Sequence, residues 1–199
     1  MISKNRALAI NSITSMVAFI SNLAINFFLS PYIVRKLGVE ANGFIMLANN
    51  FVNYAGLASI ALNSMSGRFI TLNIYREDME EAGRYYSTIT VANSVFALLM
   101  LIPAILVSFY LEHIIKIPSN LVWDVKMLFF LTFSSFLLGV ASSSWGVATF
   151  VTNRLYLSSI IRMNSQVLKA IVILGLFGLF KPSVHYAGIA KLVMAIYVA

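Results

Sequence analysis

The sequence predicts an all-α, polytopic transmembrane helix bundle of about six spans. Three observations predict it. Of the 199 residues, 60% are hydrophobic and 11% charged, with a mean hydropathy of +0.87. A soluble globular domain carries roughly 25% charged residues. Apolar runs near the 20 residues that cross a bilayer recur along the whole chain. No stretch between those runs is long enough for a soluble domain.

The predicted spans lie near 7–30, 42–66, 87–111, 126–150, 160–180 and 184–199. The opening, MISKNRALAI, places Lys4 and Arg6 before the first apolar run, as the start of a signal peptide would. The run that follows is long, holds Asn11, Ser12, Ser15, Asn22 and Asn26, and lacks a small-x-small cleavage site, which favours a retained helix. Pro31 lacks a backbone N–H and disfavours helix at Ser30, so the first span is expected to end there. Gly38 and Gly43 permit a tight turn into the second span, with Arg35, Lys36 and Glu40 at the interface. The polar stretch from Gly67 to Tyr86 reads as a short amphipathic surface helix with i,i+4 pairs Arg76–Glu80 and Glu80–Arg84. Pro118 and Pro182 mark turns before the fourth and sixth spans. The final run ends at KLVMAIYVA without a polar flank. The expectation is therefore the front part of a longer protein, with a second bundle beyond it.

Orientation follows Lys and Arg alone. Seven of these residues fall on the side of the N-terminus, among them Arg68, Arg154 and Arg162, and five on the other side, among them Arg35. The bias favours a cytoplasmic N-terminus in a multi-pass cell-membrane protein. The net charge of +7 comes from single bases between apolar runs rather than a patch, which reads as cationic loops and not as a nucleic-acid surface. There is no cysteine, and His113 and His185 have no partner at ligand spacing, so neither a metal site nor a cofactor is expected. Glu112–His113 beside Asp124 reads as a solvated loop, and no catalytic constellation is identified.

Polar residues recur at helical spacing inside the spans. Asn11, Ser15, Ala18, Asn22 and Asn26 form one stripe, and Asn42, Asn49, Asn53, Gly56, Asn63 and Gly67 form another. A third, Ser135 to Asn153 in the fourth span, consists of small residues that suit close helix packing. Asparagine in hydrocarbon needs partners, so the first two stripes face other helices or a wet cavity. On the fifth span Arg162, Ser165 or Gln166, and Lys169 share a face. A charge at the bilayer centre costs about 2.5–3.5 kcal/mol. If that helix began near Met163, Lys169 would lie about 9 Å deep and could snorkel. The alternative is a hydrated cationic cavity. Lys191 is a second intramembrane cation, and none of the seven acidic residues lies within a span interior. Such a cavity suits phosphate or carboxylate and does not suit a cation. The substrate-binding candidates are Lys169, Lys191, Arg162, Asn22, Asn26, Asn49 and Asn53. Arg35, Arg68 and Arg154 are gate or interface candidates.

The stretch SPYIVRKLGVEANGFIMLANNFVNYAGLASIALNSMSGRFI resembles the polysaccharide (O-antigen, Wzx-like) flippases of the multidrug/oligosaccharidyl-lipid/polysaccharide exporter superfamily. The residues that carry the resemblance are Pro31-Tyr32, Arg35, Leu37-Gly38, Glu40, Gly43 and Arg68, together with Asn153-Arg154 before the fifth span. The resemblance implies a carrier of two helix bundles around a central cavity, this chain being the N-terminal one. It implies that undecaprenyl-diphosphate-linked oligosaccharide crosses the bacterial cytoplasmic (inner) membrane for lipopolysaccharide or other surface polysaccharide. It implies as partners the lipid-linked anionic glycan, the bilayer, and polysaccharide polymerase and glycosyltransferases. The first span has no interior arginine, unlike the lipid II flippase branch. A drug/cation antiporter of the same superfamily would need an acidic residue in a span. A polytopic glycan polymerase or ligase would need a sizeable outer loop.

Overall fold

A computed structural model describes residues 4–199; the side chains of Lys4, Asn5, Ala58, Ala61, Leu62, Asn63 and Ser66 lie outside the description. The Asn63 position of the second stripe and the Lys4 charge lie outside the described side chains. The regular structure among the described residues is all helical: α1 (Lys4–Leu37), α2 (Val39–Tyr75), α3 (Met79–Phe109), α4 (Leu111–Ile114), α5 (Val122–Ala141), α6 (Ser144–Val151), α7 (Leu155–Leu179) and α8 (His185–Val198). Among the described residues, α1, α3, α5 and α7 are long and apolar enough to cross a membrane. The α2 rod is long enough but carries the asparagine stripe, and α8 has 14 residues.

Several expected boundaries move. Helix α1 runs through Pro31 to Leu37. The ring removes one hydrogen bond, but Ile33 is buried in the core and Tyr32 stacks on Phe177, with centroids 6.1 Å apart. Packing outweighs the local preference here. The break falls instead at Gly38, whose φ of 88° favours glycine. The stretch 67–86 is not a separate surface helix. It splits into the end of α2, a turn with Glu77 at φ 60°, and the start of α3, capped by Asp78 accepting from the Glu81 N–H at 2.9 Å. The Arg84–Glu80 pair forms at 2.7 Å, whereas Arg76 sits across the turn from Glu80. The run 126–150 is interrupted at Ser142 and Ser143, dividing α5 from α6. Helix α7 begins at Leu155, five residues earlier than expected.

The core occupies one end of the bundle. Leu29 and Ile33 of α1, Phe44 and Ala48 of α2, Val125, Leu128 and Phe129 of α5, Ile173 and Phe177 of α7, and Ala187 and Ala190 of α8 form one cluster. Helix α8 packs between α5 and α7. A Cβ at Gly188 would lie 2.9 Å from the Leu131 Cβ, so glycine is what permits the close α5–α8 approach. Large apolar side chains elsewhere face outward, among them Phe27, Phe28, Leu98 and Phe109. That is the arrangement of helices solvated by lipid, where backbone groups are satisfied within each helix. Trp123, at the start of α5, and Trp145, at the start of α6, are exposed as well.

Candidate functional site

The opposite end of the bundle, towards the N-terminus, is open. There α2, α5 and α6 enclose a cavity of about 1290 Å³ that Arg162 of α7 also lines. Its walls are mostly small or apolar: Gly139 and Gly146 leave open space, Gly56 and Gly67 lie in ordinary contact with Phe136 and Val147, and Val140 and Phe150 fill the sides. Arg68 of α2 lines the same cavity, so two cations separated by 94 positions in the chain share one space. The Arg162 Nε donates to the Ser158 carbonyl at 3.3 Å, which leaves the terminal nitrogens of its guanidinium uncommitted among the described contacts.

Deeper in the bundle, the Lys191 Nζ of α8 donates to the Asn49 Oδ1 of α2. Lys169 of α7 lies within electrostatic reach of Lys191. Both lysines are half-buried. Lys169 is the fifteenth of the 25 residues of α7, about 21 Å from its first residue and 15 Å from its last. With the helix starting at Leu155 rather than near Met163, Lys169 lies about 21 Å along it instead of about 9 Å. Among the described residues neither lysine has a carboxylate partner, and the amide oxygen of Asn49 is the group that meets the charge. Beside them the Gln166 Oε1 is buried without a hydrogen-bond partner among the described residues, and Ser165 is turned back onto the Arg162 carbonyl at 2.8 Å.

The other asparagines divide into three roles. The buried Asn11 is a clasp: its Nδ2 donates to the Asn153 carbonyl at 3.1 Å and to the Asn153 Oδ1 at 2.9 Å, while its Oδ1 accepts the Tyr156 N–H at 2.9 Å. Ser15 and Ser159 continue the α1–α7 seam at 3.0 Å. The lower half of the first stripe is thus helix-to-helix bonding. Asn22 and Asn26 pair along α1, with the Asn26 Nδ2 donating to the Asn22 carbonyl at 2.9 Å and to its side chain. They are not joined to the lysines. Asn53 is exposed on α2, one turn from Asn49. Arg35 and Arg154 are exposed at helix ends, beside Gly38 and ahead of α7 respectively.

One cluster was missed. The loop around Glu112 and Asp124 is not simply solvated. Glu112 pairs with Lys126 at 3.0 Å, and the Asp124 Oδ1 lies 2.9 Å from the His185 Nδ1, which is also 2.7 Å from the Ser183 hydroxyl. Asp124 opens α5 and His185 opens α8, and the 61 positions between them hid the contact. Both partners of His185 meet the same ring nitrogen, so the group is a staple between two helix starts rather than a nucleophile–base arrangement.

No family model matches the chain, and no solved structure matches it. It is 30% identical over 187 residues to a Bacillus subtilis (strain 168) protein named "Uncharacterized membrane protein EpsK". The match covers 94% of this chain and 37% of that protein. Together with the four apolar helices, this similarity makes the chain a helical membrane protein.

Proposed function

We propose that the chain is part of a membrane transporter of the polysaccharide flippase kind. Its cargo would be a lipid-linked oligosaccharide with an anionic, diphosphate-bearing head, moved across a bacterial cytoplasmic membrane with the N-terminus on the cytoplasmic side. The observation that carries this reading is that Lys191 of α8 is held by Asn49 beside the packed helix α7, whose Lys169 is within electrostatic reach, with no carboxylate partner for either among the described residues. Two like charges within reach of each other in a membrane interior repel, and an anion relieves that repulsion. Lysine ammoniums also supply charge-assisted donors to phosphate oxygens. The bundle is packed at one end and open at the other, the asymmetry that one state of an alternating-access cycle has. The relative's greater length leaves room for a second bundle to complete the cavity.

The chemistry expected is binding, not bond-making. The cations would hold the head while the sugars occupy the hydrated space, and release would follow when the packed end opens. The test is surface polysaccharide output in cells whose full-length protein carries Lys169→Gln or Lys191→Gln. Output should fall at least tenfold with the protein still inserted at parental levels. Output unchanged in both variants would overturn the reading.

A further inference from the structure

The cavity between α2, α5 and α6 is separate from the lysine pair. Arg68 and Arg162 line it, and its walls include Ile60, Phe136, Val147 and Phe150. Among the described residues neither arginine has a carboxylate partner. Along α2 the cavity runs from Gly56 to Tyr75, about 28 Å at 1.5 Å per residue. That exceeds the roughly 15 Å depth of one leaflet. Apolar walls of leaflet length with two guanidinium groups describe the complement of an amphiphile: a phosphate head and a hydrocarbon tail. A cation or a neutral sugar would leave the arginines unanswered, and a free anion would leave the apolar walls wet.

We infer that this cavity is a binding site for a lipid with a net anionic phosphate head, whose head meets Arg68 and Arg162 and whose tail lies along Phe136, Val147 and Phe150. The transport reading uses this same open end, but lipid retention by the purified chain and polysaccharide output in cells are separate readouts, so failure of one is distinguishable from failure of the other.

Native mass spectrometry of the full chain in detergent, with dioleoyl phosphatidylglycerol and phosphatidylcholine as probes, tests it. Phosphatidylglycerol should be retained in preference to phosphatidylcholine. The double variant Arg68→Gln/Arg162→Gln should weaken phosphatidylglycerol binding on the order of 10- to 30-fold, at about one tenfold step or less per arginine. Arg68→Lys/Arg162→Lys, which keeps the charges, should retain most of it and shows that the cavity still folds. Lys169→Gln should bind lipid as the parent does, even if it fails to export. Equal binding of the two lipids, or parental binding by the glutamine variant, overturns the inference. Displacement by inorganic phosphate at matched concentration also overturns it, because the tail would then contribute nothing. Undecaprenyl phosphate as competitor separates the sources of this chemistry. Displacement supports a polyprenyl occupant, and its failure beside retained phosphatidylglycerol supports a bilayer glycerophospholipid.

Discussion

Asn11 holds Asn153 by both its carbonyl and its side chain, and it takes the Tyr156 N–H on its remaining oxygen. Asn153 sits at φ 57°, a left-handed conformation that asparagine tolerates better than most residues. The clasp therefore fixes the turn from α6 into α7 against α1. Asn11→Leu removes three hydrogen bonds at once and strands the Tyr156 N–H. A loss of about 1–3 kcal/mol is expected. A thermal-shift assay in detergent should show a lower midpoint, and an unchanged midpoint would count against the clasp.

Asn49 meets the Lys191 ammonium with a neutral oxygen. Asn49→Asp places a carboxylate there and neutralises part of the positive site. The expected outcome is opposed effects: thermal stability equal to or above the parent, and export lost. Asn49→Leu, by contrast, leaves the ammonium without its acceptor and should lower stability by about 1–3 kcal/mol. Export that survives Asn49→Asp would separate the lysines from transport.

Gly188 is the closest approach of α8 to α5, with the Leu131 Cβ and the Leu128 carbonyl at 2.9 and 3.2 Å from where a Cβ would stand. Gly188→Val should force the helices apart at a cost of about 1–3 kcal/mol. Cysteine pairs placed across α5 and α8 should then cross-link more slowly than in the parent.

Gly38 is left-handed with open space around its missing Cβ. At φ 88° and ψ 165° it occupies a region that glycine alone enters readily, so Gly38→Ala should cost about 1–3 kcal/mol through backbone strain alone. Gly43→Ala, helical and equally open, should be neutral or stabilising. The contrast in denaturation midpoints checks whether conformation, rather than space, makes glycine necessary at position 38.

The helical character was legible because apolar length is a local property: α1, α3, α5 and α7 each follow from composition. Boundaries were less legible where packing overrode a local signal. Pro31 reads as a stop, yet burial of Ile33 and the Tyr32–Phe177 stack carry α1 past it. The run 126–150 reads as one span because Ser142 and Ser143 look like packing residues rather than a break. The site was legible as charge at helical spacing, which singled out Lys169, Lys191 and Arg162. It was not legible that Asn49 would be the residue to meet Lys191, 142 positions away, or that Asn11 would turn to the α6–α7 turn instead of a cavity. Periodicity assigns a residue to a face of its own helix. It does not say which helix lies opposite.

Helix α2 is a lever. Its 37 residues give a rod of about 55 Å, seated at one end in the core around Phe44 and Ala48 and at the other on α3 through Ile70, Asn73 and the Phe69–Tyr85 stack. A tilt of about 5° about the Gly38 end, geometry on the scale of 1.5 Å per residue, sweeps the Tyr75 end through about 5 Å. Asn49 lies near the pivot and barely travels, whereas Arg68 lies far out on the arm. A tilt of that kind would have to slide α2 along α3, and it would displace Arg68 about three times as far as Asn49.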